Sequence, residues 1–408
     1  MPRANGPAVT ILLTALVALG PISTDLYLPS LPGLARSFGV GQPDVQLTLS
    51  AFLVGLAAAQ LIYGPLSDRF GRRPVLLVGL AIYLAASIVC MLSPSIPALV
   101  AARFVQATGA CVGPVLGRAI VRDVYGREGA ARVLSYMSAA MALAPALGPI
   151  IGGFLEVAFG WRANFLALVI YGGCGLVAAL SILPETNRTP DPEAARPARI
   201  LAGYRGLMGH RSYVGYVLCC AFAYSGIFAF ISGSSFVLVD VVGLRPDAYG
   251  FCFAAIVIGY IIGTMTAGRL SRRVGIDRLI ALGAGIAVAG GLILAGLAIL
   301  DAAPSGIVGA ATIVLPMLVY MIGTGLVLPN AIAGAIGPFP QAAGSASALL
   351  GFSQMTIAAV VGIAIADLSN GTAIPMTAAI AAAAIGILLA FRLLVRTPTA
   401  HPAGKAAE

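Results

Sequence analysis

Two residues of this sequence carry charge inside long apolar runs. Asp25 lies in a run that begins near Ala8, and Arg103 lies about six positions into another. A charged side chain at the centre of a membrane helix costs about 2.5–3.5 kcal/mol on insertion scales, so each needs a partner or a role. Burial favours a neutral carboxyl, and a neighbouring cation favours the ionised one. A carboxyl held between those effects, and exposed in turn to two compartments, is a proton carrier. The plainer readings of Asp25 are a structural ion pair with Arg103 or a solvated acid at a helix end.

A second charged group is compact. Gly64–Pro74 reads GPLSDRFGRRP, and GRLSRRVGIDR recurs at Gly268–Arg278, 204 positions later in a chain of 408. Gly64, Leu66, Ser67, Arg69 and Gly71 recur unchanged. A match at the half-length, between apolar stretches, marks two related membrane halves, the build of secondary transporters. In the first copy Gly64 and Gly71 are expected to turn the backbone. Asp68 sits among Arg69, Arg72 and Arg73, where it can bind an arginine or a neighbouring helix N-terminus and latch a gate. Otherwise the arginines only set topology. The second copy has Arg272 in place of Asp68.

These groups need a scaffold, and the composition names its solvent. The chain is 59% apolar and 10% charged, with mean hydropathy +0.98. Soluble domains carry about 25% charged residues, so this chain belongs in a bilayer. The pI near 9.5 does not mark nucleic-acid binding, because the basic residues lie in short connections between apolar runs. The six cysteines form no CxxC pair, and His210 and His401 form no HExxH or His/carboxylate cluster. No GxxxxGK[ST] occurs, so no ATP-driven step is expected on this chain. We expect no cofactor other than a proton gradient, and no enzymatic activity. The first apolar run is read as a retained helix rather than a signal peptide.

Spans of about 20 apolar residues suit a bilayer core near 30 Å thick. Twelve are placed, at 8–35, 46–66, 74–93, 97–121, 132–157 and 163–183, then 213–239, 247–269, 278–300, 306–330, 341–367 and 373–395. The fold class is therefore an all-α integral membrane protein of two pseudo-symmetric six-helix halves, 1–183 and 213–395. A Pro-rich, charged linker joins them at 184–212, and a tail follows at 396–408. Of the 24 Lys and Arg, all but Arg36, Arg103, Arg162 and Arg245 lie at the termini or the even-to-odd connections. Both termini are therefore expected in the cytoplasm, and the NRT at Asn187 is a false glycosylation match. If span 1 runs outward and span 4 inward, Asp25 and Arg103 share a depth in the outer half.

Within span 5, Ala144–Gly153 reads APALGPIIGG. Gly148, Gly152 and Gly153 allow close helix approach, while Pro145 and Pro149 kink the backbone. Span 7 (YSGIFAFISGSSF) interleaves Tyr224, Phe228, Phe230 and Phe236 with hydroxyls such as Ser232. With Tyr63, Tyr136 and Tyr320 it suggests a cavity for amphipathic molecules, although each residue alone reads as ordinary packing.

On these residues the chain resembles the major facilitator superfamily over essentially its whole length. GPLSDRFGRRP matches the superfamily's signature loop, with Asp68 and Arg72 at the characteristic positions. LVAARFVQATGA (Leu99–Ala110) resembles its fourth-helix signature, with Arg103 as the arginine associated with proton coupling. APALGPIIGG resembles the antiporter motif of exporters. TDLYLPSLP (Thr24–Pro32), FAFISGSSFV (Phe228–Val237), LPNA (Leu328–Ala331) and AAGSASALLG (Ala342–Gly351) resemble the Bcr/CflA drug-resistance branch. The resemblance implies a central cavity, Asp25 as the coupling acid, and proton-driven export of bicyclomycin-, chloramphenicol- or sulfonamide-like drugs. It also implies a bacterial inner-membrane protein, which we expect to act as a monomer in the lipid bilayer. The alternative is export of an endogenous metabolite such as an amino acid or a siderophore. A membrane enzyme or a channel is least expected, since neither a nucleophile–base set nor pore-lining rings are visible.

Overall fold

A computed structural model describes residues 6–187, 190–193, 196–300, 306–339 and 342–395. The tail 396–408 and positions 188 and 189 of the NRT pattern lie outside the described residues. The described chain is helical from end to end. The first half contains α1 (Pro7–Val17), α2 (Leu19–Asp25), α3 (Leu31–Phe38), α4 (Gln42–Phe70), α5 (Arg72–Leu92), α6 (Ile96–Ala110), α7 (Val112–Phe159) and α8 (Trp161–Ile182). The linker carries α9 (Pro197–Met208). The second half contains α10 (Arg211–Phe236), α11 (Pro246–Val274), α12 (Ile276–Ile299), α13 (Ile307–Ile336), α14 (Ala343–Asp367) and α15 (Ile374–Ala390).

Ten helical stretches are long and apolar enough to cross a bilayer. The pair Pro7–Val17 and Leu19–Phe38, bent by 41°, makes an eleventh. The shorter apolar stretch Leu143–Phe159 occupies the place of the twelfth. The helix α7 holds the end of one crossing and the whole of the next. A Cβ at Gly117 would stand 3.0 Å from Met137 Cε, so the chain doubles back between them.

Prolines explain the breaks. The first span, placed at 8–35, first breaks at Ala18. Pro21 is the cause, since a proline ring clashes with the carbonyl four residues earlier, here Val17. Pro29 then opens a single 3₁₀ turn at Leu28–Ser30, and Pro32 lies in the first turn of α3. Pro114 acts on Ala110 in the same way and separates α6 from α7.

Burial ranks the helices. In the most apolar window of Arg211–Val241, 72% of residues are buried, against 22% for Trp161–Ile182. Helix α10 is therefore central and α8 peripheral, with exposed Leu166, Ile170, Val177 and Leu180 facing the hydrocarbon.

The half-length offset extends well beyond the repeated loop. Gly39 and Gly243, 204 apart, both have positive φ, 65° and 80°. Gly55 and Gly259 keep the same offset and play the same part. A Cβ at Gly55 would stand 2.5 Å from Phe104 O of α6, and one at Gly259 2.5 Å from Leu318 O of α13. Each glycine lets the helix after the first turn of its half lie directly on the backbone of the fourth crossing.

Candidate functional site

Arg103 is fully buried on α6. Its Nη1 donates to the carbonyl of Ser23 (3.0 Å) and to Gln106 Oε1 (2.6 Å). Gln106 in turn donates to Ser87 Oγ (2.8 Å), and the hydroxyls of Ser23 and Tyr83 are 2.8 Å apart. The guanidinium carbon lies 4.1 Å from the ring centre of Phe52, 4.4 Å from that of Tyr27 and 5.9 Å from that of Phe165. Nε and Nη2 have no hydrogen-bond partner.

Asp25 is 2% exposed, and no ion pair joins it to Arg103 among the described residues. This corrects the expected pairing. Two residues after Ser23, the helical turn of α2 carries Asp25 away from Arg103. Among the described residues its one side-chain hydrogen bond comes from Thr24 Oγ1 at 3.2 Å. Asp25 instead lies within electrostatic range of Tyr224 and Tyr249, on α10 and α11 of the other half.

The glycines of span 5 hold this acid in place. A Cβ at Gly148 would stand 3.1 Å from Asp25 Cβ, and one at Gly152 would overlap the Leu26 carbonyl. Gly153 faces the other way, against the Pro246 carbonyl of α11. Gly250 of α11 completes the contact by lying on Pro149 O and the Ile150 backbone. Pro145 and Pro149 stay inside the helix.

Near Asp25 and toward the end remote from Gly71, the halves are tied by direct bonds. Ser235 Oγ donates to Leu28 O (2.7 Å), Gln46 Nε2 to Ser232 O (2.8 Å), and Ser369 Oγ to Gln42 Oε1 (2.8 Å). Arg36 pairs with Asp240 at 3.2 Å, and these two are also 204 positions apart. Equivalent positions of the two repeats thus meet with opposite charge at the pseudo-two-fold axis. The half-length offset was the sequence signal that could have found this pair.

At the other end the signature loop is smaller than expected. Gly64 lies inside α4 with open space around it, so the chain does not turn there. Gly71 alone makes the turn, with φ 100°, and Gly275 repeats it with φ 89°. Asp68 pairs with Arg72 (2.5 Å), which also meets Asp123 Oδ2 (3.0 Å) and Ser67 Oγ (2.6 Å). Arg69 lies over the Phe70 ring, and Arg73 Nη2 donates to Leu180 O. All of these partners belong to the first half, and no side-chain bond joins Asp68 to the second half among the described residues.

Sequence reasoning missed the linker's part in this network. Glu185 accepts from the backbone N–H groups of Arg72 (2.9 Å) and Arg73 (3.1 Å), capping the start of α5. Asn187 Nδ2 and Asp191 N both donate to the Asp68 carbonyl (3.0 Å each). The first part of the linker is therefore docked, although its composition reads as slack chain.

The expected aromatic cavity face does not form as a unit. Phe228 and Phe230 are buried, Phe228 against Gly362 and Phe230 against Phe253. Tyr320 is also buried, and its hydroxyl donates to Ala223 O (3.3 Å). Tyr63, Ser232 and Phe236 are buried, while Tyr224 is half-buried. A cavity of about 1250 Å³ opens elsewhere, between α1, α2, α7 and α8 of the first half. Of the eight residues expected to line a cavity, only Tyr136 lines this one, beside Thr10, Tyr125, Leu147 and Tyr171.

Residues 13–363 match the sequence profile of the Major Facilitator Superfamily, and the chain belongs to that family. It is 31% identical to "Multidrug resistance protein D" of Escherichia coli K12, over 87% of each chain. It is also 31% identical to the "Chloramphenicol resistance protein" of Pseudomonas aeruginosa, over 84% of this chain and 80% of that one. In fold it is similar to the crystal structure of a D-xylose–proton symporter, with a TM-score of 0.74 at 16% identity, covering 95% of this chain and 97% of that one. The protein is a multi-pass membrane protein of a transporter family.

Proposed function

We propose that this protein exports drug-like small molecules in exchange for protons, by alternating access, in a bacterial inner membrane. The observation that carries this reading is Asp25: a buried acid with no cationic partner among the described residues, set between the glycines of α7 and the second half. Proton and drug must bias the same two-state equilibrium for antiport, and a titrating acid at the contact between moving halves is where that bias acts. The relatives' names, for multidrug and chloramphenicol resistance, support export of amphipathic compounds rather than uptake.

In this reading the halves are 1–183 and 213–395, the proton gradient is the only energy source, and a single chain suffices. The basic connections, including the Gly71 turn, face the cytoplasm together with both termini. The end tied by Arg36 and Asp240 is then the outer gate, in its closed state. The test is expression in cells lacking their own exporters, with drug-induced proton release measured in everted vesicles. Raised inhibitory concentrations and proton release that Asp25→Asn abolishes are the expected result. No change for any drug, with Asp25→Asn equal to wild type, overturns it.

A further inference from the structure

Arg103 presents a problem that its hydrogen bonds leave unsolved. A buried guanidinium needs a compensating charge or its equivalent. No carboxylate meets it among the described residues, and Nε and Nη2 are unpartnered. What surrounds it instead is three aromatic faces from three separate elements. Tyr27 follows α2, Phe52 is on α4 and Phe165 is on α8, at 4.4, 4.1 and 5.9 Å. The negative face of an aromatic ring attracts a cation, most strongly where water is excluded.

The cage is itself held in place. The Tyr27 hydroxyl is 2.7 Å from Thr48 Oγ1, which fixes the first ring. Phe165 packs on Tyr27, with ring centres 5.5 Å apart, and on Trp161 at 6.0 Å. The remaining titratable groups near Arg103 are Tyr83 of α5 and Cys90 at its far end, both neutral partners. Those within electrostatic range of Asp25 are Tyr224 of α10 and Tyr249 of α11.

We propose that Tyr27, Phe52 and Phe165 are positioning residues that hold the Arg103 charge in place of a carboxylate, leaving Asp25 without a counter-ion and free to exchange its proton. The inference rests on the proton-coupling reading of Asp25. The Ser23 carbonyl that anchors Arg103 is two residues before Asp25 in the chain, so a guanidinium released from the cage can turn toward that acid. Pairing would hold Asp25 ionised to lower pH. A weakened cage therefore moves the pH response toward acid, whereas a cage that serves only as packing lowers stability at every pH alike.

The test replaces Phe52 with mono-, di- and trifluorophenylalanine, which keep the ring's shape while draining its negative face. The readout is the pH dependence of thermal unfolding of the purified full chain, which needs no transport. The midpoint is expected to move to lower pH stepwise with fluorination, by about one unit for the trifluoro ring. The shift is expected to vanish in an Asp25→Asn background. Phe52→Tyr, which keeps the π face, should retain the wild-type midpoint. An unmoved midpoint across the series, or one that moves equally without Asp25, overturns the cage. If the midpoint moves as expected but wild-type vesicles release no protons on drug addition, the cage stands and the antiport reading falls.

Discussion

The two halves share a backbone plan and differ in what they bury. Gly39 and Gly243, Gly55 and Gly259, and Gly71 and Gly275 keep one offset and one structural role. The charges keep no such symmetry. The first half buries Asp25 and Arg103, whereas no charged side chain in the second half is buried to that degree among the described residues. At the turns, Asp68 and Arg72 of the first copy become Arg272 and Ile276, and Asp277 stands where Arg73 stood. Asp277 accepts from the Tyr216 hydroxyl (2.7 Å), and Ser271 pairs with Asn330 (2.7 Å), a neutral bond where Ser67 meets Arg72. Close helix packing tolerates little change at a glycine, while a charge on an exposed turn can change without disturbing that packing.

The comparison breaks most directly at Asp25. Asp25→Asn is expected to abolish substrate-driven proton release, whereas Tyr320→Phe, in the second half, should keep it within about twofold; a stopped-flow pH-dye assay on proteoliposomes distinguishes them. Next come the paired glycines. Gly55→Leu and Gly259→Leu should each destabilise the fold by about 1–3 kcal/mol or more, and by similar amounts, because each side chain would enter a neighbouring helix backbone. Unequal losses in thermal unfolding would mean that the halves do not share their packing.

A smaller effect is expected at the turns. Glu185→Gln leaves the start of α5 with a weaker cap, for a loss of about 1–2 kcal/mol. Arg272→Ala in the second copy should change stability by less than about 0.5 kcal/mol. A comparably small effect is expected at the axis. Arg36 and Asp240 are 65% and 43% exposed, so breaking the pair should shift the gate by about 0.2–1 kcal/mol. Exchanging the two charges, Arg36→Asp with Asp240→Arg, should restore the distance distribution between spin labels placed on the two halves.

Much of the site was legible in advance, but unevenly. Asp25 and Arg103 stood out because charge in an apolar run is visible in one dimension. Their pairing did not follow, because direction around a helical turn separates residues that share a depth. Gly64 read as a turn residue, yet α4 continues through it, since glycine permits a turn without forcing one. Glu185 was hidden in a segment whose Pro and charge content suits a loose linker. Its role comes from meeting a helix start 113 positions away.

The solvent, the spans, the two-half plan and the two charges in apolar runs follow from the order of residues alone. Hydropathy, proline breaks and an internal offset are local or periodic properties that survive without coordinates. Packing in three dimensions sets aromatic rings rather than Asp25 around Arg103, brings the linker to the start of α5, and brings Arg36 to its own repeat equivalent. Each of those depends on side-chain direction and on contacts between distant segments, which the order of residues does not encode in any single stretch.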